Sequence, residues 1–123
     1  MANILIVDDE DGFRHILQIV LRRGGYETCE AANAHAALTV IDDCSPDLIL
    51  LDDMMPGMSG GELCRLLKAD DRYRLLPVIM HSANSKLNDP AYVRSIGADG
   101  VLLKPCPPHD VLTAISSHLQ LVR

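Results

Sequence analysis

The chain alternates between two hydrophobic rhythms. Short aliphatic or β-branched runs are each followed by a stretch in which apolar residues return at helical spacing, and the alternation occurs five times. The first run is Asn3 to Val7. Behind it Phe13, Ile16, Leu17, Val20 and Leu21 mark one face of a helix that Gly24 and Gly25 terminate. Tyr26 to Glu30 predicts a second strand. Asn33 then caps a helix with Ala37, Leu38 and Ile41 on its inner face, stopped by Pro46. Asp47 to Leu51 is apolar after its first residue, as in a strand covered on both faces of a parallel sheet. Pro56 and Gly57 make a turn. Ser59 and Glu62 form a capping box that opens a third helix through Leu63, Leu66 and Leu67. Pro77 to His81 predicts the fourth strand. Asp89 and Pro90 read as N-cap and first residue of a fourth helix that ends near Gly97. Gly100 to Leu103 is the last strand, and Val111, Leu112, Ile115 and Leu119 line the last helix.

Strand–helix alternation at this pace implies βαβ units with right-handed crossovers and a parallel sheet. In such sheets ligands bind at the carboxyl ends of the strands. The residues at those ends are therefore the candidates for chemistry. Strand one ends in Asp8 and Asp9, strand three in Asp52 and Asp53, strand four in Ser82, and strand five in Lys104 before Pro105. Carboxylates gathered on one rim repel, and each resists ionising until a cation offsets the charge. Hard oxygen ligands favour Mg²⁺ or Ca²⁺, and Mg²⁺ commonly takes one or two carboxylates, waters and a phosphate oxygen. A carboxylate beside a metal and a lysine can act as a nucleophile toward phosphorus.

Composition narrows this picture. With 123 residues the chain is expected to be one domain, residues 1–123, with no second, output domain inside it. The formal net charge of −6 lacks the basic footprint of phosphate-backbone contacts, so direct nucleic-acid binding by this chain is not expected. The apolar start is short and runs at once into Asp8, Asp9, Glu10 and Asp11, unlike a signal peptide. Later apolar runs are far short of a membrane span, so a cytoplasmic setting without membrane contact is expected. Cys29, Cys44, Cys64 and Cys106 form no Cys-x-x-Cys pair; they read as reduced, mostly buried thiols rather than zinc ligands. There is no Gly-x-x-x-x-Gly-Lys-Ser/Thr loop and no Gly-x-Gly-x-x-Gly fingerprint, so a bound nucleotide is not expected.

Four segments, in order and at fitting spacing, resemble the receiver domain of two-component response regulators. They are Ile4-Leu5-Ile6-Val7-Asp8-Asp9-Glu10; Pro46 through Asp52 with Met55-Pro56-Gly57-Met58-Ser59-Gly60; Pro77 through Ala83; and Gly97-Ala98-Asp99-Gly100 leading to Lys104-Pro105. The resemblance spans essentially the whole chain. It implies the flavodoxin-like (βα)5 sandwich with strand order 2-1-3-4-5, for which a receiver protein is itself a standard example. It implies that Asp52, separated from Met55-Pro56 by two intervening residues, accepts a phosphoryl group. Asp9 would bind Mg²⁺ directly, Asp8 mainly through water, and the backbone carbonyl of Met54 would join Asp52 as a ligand. Ser82 would hydrogen-bond the phosphoryl group and Lys104 would pair with it, with Ala83 and Pro105 flanking them. Met54 and Asn84 resemble the variable positions that set phosphate lifetime. The implied donor is a phosphohistidine on a sensor histidine kinase or histidine phosphotransfer protein, and the implied reader is an output domain or downstream protein. On this reading the domain is not an enzyme beyond its own phosphoryl uptake and loss.

Two departures stand out. The family often has an aromatic residue three positions before the lysine, which swings inward on activation, and another just beyond Lys-Pro; here Val101 and Cys106 occupy those places. Asp53 stands where the family is usually apolar. It either points away from the pocket or adds charge near the metal. His81 reads as a hydrogen-bonded core or rim histidine, and His15, His35, His109 and His118 read as solvated. Two rivals remain. A haloacid-dehalogenase-like phosphatase needs a second acid two residues after the nucleophile, where this chain has Met54. A phosphorylation-independent interaction module on the same scaffold draws support from the missing aromatic switch.

Overall fold

The computed structural model describes residues 2–121; Met1, Val122 and Arg123, the ends of the expected domain, lie outside the described residues. Its elements run β1 (Asn3–Val7), α1 (Asp11–Arg23), β2 (Glu27–Ala31), α2 (Ala34–Cys44), β3 (Leu48–Leu51), α3 (Gly60–Lys68), β4 (Val78–Ser82), α4 (Pro90–Ile96), β5 (Gly100–Leu103) and α5 (Pro108–Leu121), with a short 3₁₀ turn at Ser85–Asn88. All pairings are parallel and the strand order is β2-β1-β3-β4-β5, as expected.

The period-2 geometry of strands explains the two cores. Ile4, Ile6, Leu48, Leu50 and Ile79 face α1 and α5, meeting Leu17, Leu21, Val111 and Ile115. Leu5, Val7, Ile49, Leu51, Val78 and Met80 face α2, α3 and α4, meeting Ala37, Ile41, Leu63, Leu67 and Ile96. β1, β3 and β4 are buried on both faces, which is why their sequences are continuously apolar.

Local chemistry sets the element ends. Asn33 accepts from the Ala36 amide at 2.7 Å and starts α2. The Ser59 hydroxyl accepts from the Glu62 amide at 3.2 Å and donates to the Glu62 carboxylate at 3.3 Å, so the capping pair starts α3. Asp89 accepts from the Ala91 amide at 2.9 Å, Pro90 opens α4, and Gly97 closes it in the left-handed region at φ 76°.

The strand limits differ from expectation by a residue. The Tyr26 amide completes the end of α1 by donating to the Leu21 carbonyl, so β2 begins at Glu27. Pro77 has no N–H for the ladder, so β4 begins at Val78 and carries Ser82 as its last residue. Ile16 and Leu66 fit the helical spacing yet lie 58% and 42% exposed; Cys64 fills the core beside Leu63 and Leu67 instead.

Two cysteine expectations are overturned. Cys29 of β2 and Cys44 at the end of α2 form a disulfide, with Cα atoms 6.2 Å apart, while Cys64 and Cys106 are free. The βα crossover folds positions 15 residues apart into contact, which spacing alone does not reveal. His118 is not solvated: its ring nitrogens lie 2.8 Å from the Ala114 carbonyl and 2.9 Å from the Asp99 carbonyl, and it packs where Gly100 leaves room. Among the described residues, no helix is long and apolar enough to cross a membrane.

Candidate functional site

The sheet ladder itself assembles the rim. β1 and β3 pair up to Val7 and Leu51, and one further bond, from the Asp52 amide to the Val7 carbonyl at 2.9 Å, sets Asp52 beside the Asp8–Asp9 turn. On the other side Ser82 pairs with Leu103, and the Lys104 amide donates to the Ser82 carbonyl at 3.0 Å. Four strand ends thus deliver three carboxylates, a hydroxyl and an ammonium to one crevice. The Lys104–Pro105 peptide is cis, and Pro105 itself is exposed.

Asp8, Asp9 and Asp52 each place a carboxylate oxygen within 4.8 Å of the others. Asp8 and Asp52 are buried, and Asp9 is exposed. Lys104 Nζ lies 2.8 Å from Asp8 Oδ2 and 3.9 Å from Asp52 Oδ2, so the ammonium is shared but favours Asp8. It also sits 3.9 Å over the Phe13 ring, whose quadrupole holds the cation at the crevice. The Asp8 carboxylate accepts from the Glu10 amide at 2.9 Å. Arg14 of α1 donates to the Asp8 carbonyl at 2.6 Å and fixes that turn from behind.

Asp52 is poorly compensated. Its Oδ1 accepts a long bond, 3.3 Å, from the Met54 amide. Burial pushes its carboxyl above the usual aspartate range; the Ser82 hydroxyl and Lys104 oppose this, and the Asp8 charge adds to it. Crowded, poorly compensated carboxylates are what an added divalent cation would relieve, and this hard, oxygen-only donor set fits one. Met54 is exposed at 59%.

Gly60 matters to this geometry. A Cβ there would collide with the carbonyl of Asp52, so only glycine lets α3 start against the end of β3.

Asp53 resolves the alternative left open by the sequence. It faces away from the acid cluster, is 2% exposed, and its carboxylate accepts from the Gly61 amide at 2.6 Å, Asn84 Nδ2 at 2.5 Å and the Tyr92 hydroxyl at 3.0 Å. Ala83 is exposed, and Asn84 is half-buried with its amide 3.3 Å from the Ser82 hydroxyl. His81 is buried, as expected, but not hydrogen-bonded as expected. Its Nε2 has no partner among the described residues, its ring tilts against Phe13 at 5.5 Å, and burial pushes its pKa down to about 4. Val101 is half-buried in the core, and Cys106 packs on the opposite one.

Sequence reasoning missed Phe13, Arg14 and Tyr92. Phe13 was legible only as a helix-face residue; Arg14 and Tyr92 lie on helices, and nothing in their spacing links them to strand ends.

The sheet order and the two helical layers define the flavodoxin-like class of α/β domains. Within that class residues 4–116 match the response regulator receiver domain, and the chain belongs to that family. The phosphate regulon transcriptional regulatory protein PhoB of Pseudomonas aeruginosa is 41% identical over 117 residues, 95% of this chain and 51% of PhoB. The DNA-binding response regulator MtrA of Mycolicibacterium smegmatis is 36% identical over 117 residues, 95% of this chain and 50% of MtrA. The crystal structure of the signal receiver domain of a signal transduction histidine kinase from Syntrophus aciditrophicus superposes with a TM-score of 0.92 at 32% identity, over 100% of this chain and 93% of that one. The chain spans about half the length of the curated relatives it matches first.

Proposed function

We propose that Asp52 accepts a phosphoryl group from a phosphohistidine of a sensor histidine kinase or histidine phosphotransfer protein, and that the acyl phosphate switches a partner-binding surface in two-component signalling. The observation that carries this reading is the convergence on Asp52 of the Asp8 and Asp9 carboxylates and the Lys104 ammonium, in a chain of the receiver family.

An Asp52 oxygen attacks phosphorus, an O–P bond forms, and the P–N bond to the imidazole breaks. The P–N bond pair stays on the leaving nitrogen while the donor's other ring nitrogen keeps its proton, so the imidazole departs neutral. Lys104 has an ammonium within reach of both Asp8 and Asp52, and it turns toward the added phosphoryl oxygens. Ser82, at the end of β4 beside Asp52, donates its hydroxyl to the same group. Asp8, Asp9, Asp52 and the Met54 carbonyl would hold Mg²⁺, which when bound offsets the charge of the carboxylates and of the phosphoryl oxygens. The protein promotes its own phosphoryl uptake and loss and turns over no other substrate. A cytoplasmic setting follows from such a donor. Any DNA binding would belong to a joined output domain, because this chain is acidic.

Val101 gives a specific reason to keep one rival, an interaction module that works without phosphate, because no ring is present there to swing inward. Incubation with phosphoramidate, a small P–N donor, separates the two. The switch reading expects one phosphoryl group per chain with Mg²⁺, none with EDTA, and none in Asp52→Asn. Partner affinity that ignores a phosphoryl analogue would favour the rival.

A further inference from the structure

The carboxylate next to the acceptor is as well satisfied as the acceptor is not. Asp53 has donors from three elements: Gly61 in the first turn of α3, Asn84 in the loop after β4, and Tyr92 of α4. Three donors are what a buried carboxylate needs to offset its lost hydration. The space for this contact is kept open by Gly61, where a Cβ would collide with the Tyr92 hydroxyl and lie 3.1 Å from Asp53 Oδ1. Burial, with the Asp53 charge beside it, pushes the Tyr92 phenol up to about 12, so it stays a donor.

Asn84 links this nest to the pocket. Its side chain is held by Asp53, while its backbone amide lies 3.3 Å from the hydroxyl of Ser82, which lowers the Asp52 pKa against burial. Hydrogen bonds therefore run from Ser82, at the strand end beside Asp52, through Asn84 and Asp53 to Tyr92 on α4. When Ser82 turns to a phosphoryl oxygen, its contact with the Asn84 amide changes, and the Asn84 side chain pulls on Asp53 and Tyr92 together. Val101 offers no ring for the job.

We propose that Asp53 is a positioning residue: it fixes Asn84 beside the phosphoacceptor and ties that position to Tyr92, so that one carboxylate sets both acyl-phosphate lifetime and the response of α4. This rests on Asp52 being the acceptor. Asp53→Asn keeps shape but turns an acceptor into a donor that faces Asn84 or Gly61, and it frees Asn84 to admit water.

The test follows acyl-phosphate loss after loading with acetyl phosphate and Mg²⁺, and backbone hydrogen exchange of residues 90–96 with and without phosphate. Losing one hydrogen bond, worth about 1 kcal/mol, should speed phosphate loss by about fivefold in Asp53→Asn. Asn84→Ala should do the same, and the double variant should be no faster than either single one. Tyr92→Phe should alter lifetime less than Asp53→Asn but abolish the phosphate-dependent exchange change in α4. Additive effects of Asp53→Asn and Asn84→Ala would overturn the proposal. So would variants that only lower Tm while lifetime and α4 exchange stay as in wild type. Should Asp53→Asn fail to fold, Asn84→Ala and Tyr92→Phe carry the same decision. Failure of the acceptor reading is distinct: wild type itself would then take up no phosphoryl group.

Discussion

Asp52 and Asp53 are neighbours with opposite surroundings. Around Asp52 the structure leaves charge uncompensated: one long backbone bond, a lysine nearer to another acid, and a like charge close by. Around Asp53 every donor is in place. The first region is arranged for something to arrive; the second is complete as it stands. Buried polar groups that are fully bonded define structure, whereas under-satisfied ones in a crevice mark chemistry.

The comparison breaks most visibly through Asp53. Asp53→Ala leaves three donors to find new partners and should cost roughly 3 kcal/mol, read from urea denaturation. A loss near zero would mean that the nest contributes nothing. Next in size is the metal. Mg²⁺ at a hundred times its dissociation constant should add about 2.7 kcal/mol to wild-type stability, and much less to Asp52→Asn. Equal gains in both would place the ion elsewhere.

His81 supplies the third test. Its folded pKa of about 4 lies below the ordinary 6.5, so the unfolded chain binds more protons between those values. Stability is fully present above pH 6.5 and is lost as pH falls toward 4, at most about 1.4 kcal/mol per pH unit. His81→Gln should flatten that slope in acid denaturation series. Asp52 acts in the other direction. Its raised pKa means that its share of stability is present at low pH and lost as pH rises through the raised value. Without divalent ions, Asp52→Asn should therefore be more stable than wild type at neutral pH, by on the order of 1 kcal/mol. A destabilised Asp52→Asn would show that the pocket is better compensated than its geometry implies.

The fold and the rim were both readable in sequence for the same reason. Apolar runs that are buried on both faces allow one sheet type, and that sheet sends the residues after each run to one edge. Asp8, Asp52 and Lys104 could be placed on the basis of order alone. Asp53, Asn84 and Tyr92 could not be grouped that way. Their contact depends on which way a side chain turns one residue past a strand and on a helix packing angle, and neither leaves a periodic trace. The Cys29–Cys44 bridge was hidden for a similar reason, since a crossover joins them and no ligand-type spacing does. His81 was readable as buried but not as unpartnered, because burial follows from the strand and partners depend on neighbouring helices.

The most direct measurement locates the phosphoryl group. After loading with acetyl phosphate and Mg²⁺, borohydride reduces an aspartyl phosphate to homoserine, and peptide mapping reads its position. The account predicts homoserine at position 52 and intact aspartate at 53. Homoserine at position 53, 8 or 9, or none at all under conditions that trap a known acyl phosphate, would contradict it.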